Sequence, residues 1–104
     1  MATVLQHTYR RNGYAYVLVE RNEHAAIYVQ MSGDRIAAYE VGWVKTQPES
    51  TMPGGNVIEG GECFWSNEDF GRIAWSIVDR ERAMAKYEAV TAEGIELAAK
   101  QALA

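Results

Sequence analysis

The chain has 104 residues, 48% hydrophobic and 23% charged, with 10 Lys and Arg against 14 Asp and Glu and a net charge of -4. This composition describes one folded domain, 1–104, and excludes a disordered chain or a second core. The acid excess disfavours nucleic acid, which is held by clustered bases that release counterions, and no apolar run approaches the ~20 residues that span a bilayer.

Cys63 is the sole cysteine, so an internal disulfide is excluded. Residues 1–7 show neither a basic stretch nor an apolar leader, and a cytoplasmic location is expected. Charge is uneven along the chain. Between residues 47 and 71, Glu49, Glu59, Glu62, Glu68 and Asp69 meet no Lys or Arg, which predicts an acidic segment between near-neutral halves.

The first half reads as strands, because β-branched and aromatic residues run in blocks separated by short turn signals. Asn12-Gly13 predicts a tight hairpin between a strand over 3–10 and one over 14–20, since both central positions of such a turn take positive φ. Arg21-Asn22-Glu23 separates the second strand from a third over 24–31, and Ser32-Gly33-Asp34 separates that from a fourth over 35–45. Alternation predicts one aliphatic face, suited to a packed helix, and one aromatic face carrying Tyr14, Tyr16, Tyr28, Tyr39 and Trp43.

From 46 to 70 the pattern gives way to Pro48, Pro53-Gly54-Gly55 and Gly60-Gly61, which predicts a long acidic Gly/Pro-rich loop. Ser66-Asn67-Glu68-Asp69 reads as an N-cap with first-turn acids, a single helical turn ending before Gly71. Residues 73–78 have strand composition and return to the sheet. Asp79 caps a final helix whose apolar stripe is Ala83, Met84, Tyr87, Val90 and Thr91, with a kink or break expected at Gly94. The fold class is therefore α+β: an antiparallel β-meander of four to five strands with a C-terminal helix packed on one face.

Tyr16–Arg21, Ala26–Tyr28, Tyr39–Val41, the segment Ser66-Asn67-Glu68-Asp69-Phe70-Gly71, Ala74-Trp75 and a helix through Ala83 and Tyr87 together resemble a group of small proteins from phages and prophage-bearing bacteria. The resemblance spans roughly residues 14 to 90 and implies a phage-like accessory role without an activity to carry over. The Asp-Phe-Gly within it is no kinase element, since the chain has neither the Gly-rich loop nor the catalytic loop of that fold.

No residue set announces catalysis, a metal or a cofactor. Cys63 with His7 or His24 would make a nucleophile pair only if the fold joined them, and their spacing is not that of metal ligands. Glu59, Glu62, Glu68 and Asp69 could converge on a hard cation, but capping and solvation account for them more simply. Gly54-Gly55 and Gly60-Gly61 lack the Lys and Ser/Thr of a phosphate loop.

Two readings of the aromatic face stand side by side. In one it is a contact surface for a protein partner or a second copy in a homodimer, joined by Glu62, Glu68, Asp69 and Phe70 of the acidic loop. In the other, loop 46–70 folds over it with Phe64, Trp65 and Phe70 as plugs. The first makes the chain a non-enzymatic interaction module. A small enzyme or ligand binder built on the loop carboxylates and Cys63 is the alternative.

Overall fold

A computed structural model of the protein describes residues 3–103. Five antiparallel strands form the main sheet: β1 (Thr8–Arg11), β2 (Tyr14–Arg21), β3 (Ala25–Ser32), β4 (Arg35–Trp43) and, late in the chain, a strand over Ala74–Ile77. The α+β architecture expected from the sequence is the one observed. Asn12 at φ 54° and Gly13 at φ 83° make the first hairpin, the conformation for which Asn-Gly was singled out.

Between β4 and the last strand the chain is more regular than its glycines and prolines suggest. β5 (Lys45–Gln47) pairs with β8 (Gly61–Cys63), and β6 (Ser50–Thr51) pairs with β7 (Val57–Ile58), so the expected loop is an interrupted hairpin. Gly54 (φ 100°) and Gly55 (φ 91°) turn its tip. A short 3-10 turn over Asn67–Asp69 follows, and β9 (Ala74–Ile77) then adds to β4 with Glu40 opposite Ser76 and Gly42 opposite Ala74.

Pairing between β3 and β4 decides which side chains share a face. Tyr28 stands opposite Glu40 and Ile27 opposite Val41. Ala38, Glu40 and Gly42 therefore join Tyr16 and Tyr28, while Tyr39, Val41 and Trp43 point to the other side. This corrects the expected aromatic face: Tyr39 and Trp43 pack with the helix, beside Ala25, Ile27 and Val41. Alternation orders the side chains within each strand, and the β3–β4 register decides which sets of two strands meet on one face. Burying Ile27 and Val41 completely, as here, stabilises by about 1.5–3 kcal/mol per side chain.

The helix α1 (Arg80–Leu103) begins after Asp79, whose carboxylate accepts from the Glu81 backbone N–H at 2.8 Å. Ala83, Tyr87 and Val90 of the predicted stripe are buried against the sheet, and Met84 and Thr91 are half-buried. No break occurs at Gly94. The helix runs through it, because the missing side chain makes room for His24, whose Cβ lies 2.6 Å from where a Cβ at 94 would be. No helix among the described residues is long and apolar enough to cross a membrane.

Candidate functional site

The face opposite the helix is covered by the segment Phe64–Phe70. Phe64 stacks on Tyr9 at 4.5 Å between ring centroids and meets Tyr16 and Tyr28 at 5.1 Å each. Trp65 is buried over Ala26 and Ala74, edge-on to Tyr28, and its indole N–H donates to the Trp43 carbonyl at 2.8 Å. The small side chains of Ala26 and Ala74 share this buried cluster with the indole. The covering arrangement is thus the one adopted, with Phe64, Trp65 and Phe70 as its plugs.

Of the expected contact aromatics, Tyr28 is wholly buried, and its hydroxyl donates to the Gln6 carbonyl at 2.7 Å. Desolvation pushes its phenol well above the usual range. Tyr16 is buried and accepts from Gln30 Nε2 at 2.9 Å. Tyr14 is exposed near the sheet edge, and Phe70 is half-buried against Trp65.

Two of the loop acids, Glu62 and Asp69, are internal braces. Glu62 accepts from Arg21 Nη1 at 2.5 Å and Nη2 at 2.8 Å and from the Leu5 N–H at 2.9 Å; the guanidinium holds its carboxyl below the usual range. Asp69 is buried, takes Lys45 Nζ at 2.7 Å, and accepts from the Ser66 N–H at 2.8 Å. These contacts, Lys45 first, pull its pKa down to about 2. Two of the five acids in the segment that lacks bases in sequence, Glu62 and Asp69, are thus paired with bases from β2 and β5. Glu68 is exposed.

Among the described residues, Cys63, the imidazoles and the loop carboxylates are not gathered into one cluster. No hydrogen bond joins the Cys63 thiol to either imidazole among the described residues; His24 instead pairs with Glu23 at 3.2 Å and packs under Gly94. No group of three or more His, Cys, Asp and Glu among the described residues is placed to hold a metal ion.

What the covering segment leaves open is a cavity of about 280 Å³ beside it. Its walls are Tyr16, Phe64 and Phe70, and Arg11, Asn12 and Asn67 line it as well. Glu40, only 4% exposed, lines it together with Gln30 and Ser76. One carboxylate oxygen, Oε2, is buried without a hydrogen-bond partner among the described residues. Burial pushes this carboxyl above its usual range, and a hydrogen bond with Ser76 offsets part of that. Arg11 is fixed nearby, donating to the Trp65 carbonyl at 2.6 Å with its guanidinium 5.3 Å from the Phe64 ring centre.

Sequence reasoning passed over Glu40. The available signal was a lone acid inside the apolar run Ile36–Val44, alternating in phase with Ala38 and Gly42, a position that must face a core or a cavity. The carboxyl so placed stands beside a cavity whose lining mixes aromatic with polar side chains. Comparison of the chain with protein-family models, with curated proteins and with solved structures gives no match.

Proposed function

We propose that this protein is a non-enzymatic binding module whose working site is the Glu40 cavity. The observation that supports it is Glu40 Oε2, buried and without a partner among the described residues, because a buried acceptor without a donor costs about 1–3 kcal/mol, a cost that a bound donor group would remove. Aromatic walls with a few convergent polar groups are the ordinary make-up of a small-molecule site.

The test is a thermal-shift panel of small organic cations, carboxylates, sugars and nucleosides, run on the native chain and on Asn67→Trp, which places a bulky ring at an exposed position lining the cavity. A ligand of the folded state raises the melting temperature. At least one compound is expected to stabilise the native chain and not the variant. A flat panel, or equal shifts in both proteins, overturns the reading.

A second reading, contact with a protein partner or a second copy, is supported by the β6–β7 hairpin, where Met52, Val57 and Ile58 are all exposed. The phage-like accessory role implied by the resemblance belongs to this reading. Light scattering and partner capture with Val57→Ser/Ile58→Ser test it; mass and recovery unchanged from the native chain would remove the hairpin from the account.

A further inference from the structure

The helix covers only part of its side of the sheet. Strand pairing lays that side out in rows: Arg10, Ala15, Met31 and Ile36 stand side by side across β1 to β4, and Thr8, Val17, Val29 and Tyr39 form the next row. α1 packs on β3, β4 and β9, and of these two rows only Tyr39 belongs to the cluster beneath it. Ala15, Val17, Val29 and Met31 are half-buried, and Ile36 is 57% exposed. The β1–β2 corner of the sheet is thus an apolar strip that no helix of the described residues covers.

The helix in turn outruns the sheet. Beyond Gly94 none of residues 95–103 is buried. Ile95, Ala99, Ala102 and Leu103 nevertheless recur at helical spacing, an apolar stripe with Ile95 58% and Leu103 89% exposed. Strip and stripe belong to one continuous surface. Between them runs a groove of about 390 Å³, lined by Arg21 and Asn22 where β2 ends and by Tyr87, Thr91 and Ile95 on the flank of α1. Glu20 and Glu88, both exposed, form its polar rim.

We infer that a second copy of this chain covers this surface: two copies meet about a two-fold axis through the groove, each laying its helix end on the other's strip. The occupant follows from what each part lacks. The strip has no helix and the helix end has no sheet, and an axis midway between them exchanges the two, as an isologous contact requires. The charges agree in sign. Arg10 stands in the outer row of the strip, while Glu93 and Glu96 flank Ile95 on the helix, the second shared with Lys100 at 3.3 Å. The extent agrees as well, since strip, groove and helix end together reach the roughly 20 residues a side of a standard interface, which none of them reaches alone. This inference does not rest on the Glu40 cavity, which lies on the other face of the sheet, and it uses a surface other than the β6–β7 hairpin.

Sedimentation velocity at rising protein concentration tests this on the native chain, Ile36→Lys and Ile95→Glu, both at exposed positions and each variant first shown to be folded by circular dichroism. The native chain is expected to dimerise, and in each variant alone the dimer should weaken by about tenfold or more, because a charge is set against an apolar surface. Mixing the two variants in equal amounts should recover the dimer, since one of its two contacts is then native on both sides and the other places the new ammonium near the new carboxylate. A native chain that stays monomeric, or a dimer that survives both substitutions, overturns the inference. So does a loss confined to one variant, which would pair strip with strip or helix end with helix end, and so does a mixture no more dimeric than its components. A dimer lost in Val57→Ser/Ile58→Ser but kept in both variants assigns self-association to the hairpin, which overturns the inference and leaves that reading in place.

Discussion

Asn22 of the β2–β3 turn donates to the Tyr87 hydroxyl of α1 at 3.0 Å, and the same amide nitrogen reaches Thr91 Oγ1 at 2.9 Å. Its carbonyl oxygen accepts the His24 and Ala25 N–H groups at 2.8 and 3.0 Å. One side chain thus closes the turn and fixes the rotation of the helix on the sheet. Replacing it with Ala leaves two backbone donors and two hydroxyls without their partner. Asn22→Ala is expected to lose about 2 kcal/mol, at the larger end of hydrogen-bond deletions, read as a lower urea midpoint at unchanged slope. A loss within a few tenths of a kcal/mol would show that water replaces the amide without cost.

Asp69 links β5 to the covering segment through Lys45, and its ionised form is favoured by folding because its pKa falls from 3.8 to about 2. A carboxyl with a depressed folded pKa contributes stability that is complete above its unfolded value and is lost as pH falls through the folded one. Asp69→Asn should therefore lower stability by about 2 kcal/mol at neutral pH, where a charge-assisted contact is deleted. The difference between variant and native chain should shrink as pH is taken from about 5 towards 2, in urea melts at each pH. A gap independent of pH would assign the effect to packing of Ser66 and Asp69 rather than to charge.

Gly94 gives a case where helix propensity and packing oppose each other. In a solvent-facing helix interior, Gly→Ala stabilises by about 1 kcal/mol. Here the added Cβ meets His24 Cβ and Cγ at 2.6 Å, atoms near the backbone that cannot swing aside. Gly94→Ala is expected to destabilise by about 1–3 kcal/mol, as overpacking does, while Glu93→Ala at the exposed neighbour stays near neutral. Thermal melts of the two decide it; a stabilised Gly94→Ala would mean that helix and sheet separate readily at this point.

Local signals were strong wherever the structure follows from neighbours in sequence. Asn12-Gly13, the Ala83–Tyr87–Val90 stripe and the Ser66–Asp69 turn were legible because each depends on a few adjacent residues. What the sequence left open depends on pairing across the chain. The β3–β4 register carries an irregularity between Gln30 and Met31, and it is this register that sends Tyr39 and Trp43 to the helix and Glu40 to the cavity. Likewise, Glu62 and Asp69 looked like uncompensated acids because Arg21 lies 41 residues and Lys45 24 residues away. The aromatic cover by Phe64 and Trp65 was one of two readings, and only the path of the hairpin between β5 and β8 settles it.

Glu40 opposes stability, and its burden depends on pH. Its carboxyl has a raised folded pKa, caused by burial, so it adds nothing unfavourable while protonated and becomes a burden as pH rises through that raised value. Glu40→Gln keeps the shape and removes the charge. The variant should be more stable than the native chain at pH 8 by about 1 kcal/mol, the lower range for relieving an unsatisfied buried group, and no more stable at pH 4. Urea midpoints at the two pH values check this. If Glu40→Gln were instead destabilising at pH 8, the buried carboxylate would have a donor in the folded chain, and the proposed binding site would lose the observation that supports it. A variant that gains stability and loses the capacity to bind has the signature of a residue retained for function, because selection tolerates a buried unpaired acceptor where a ligand supplies its partner.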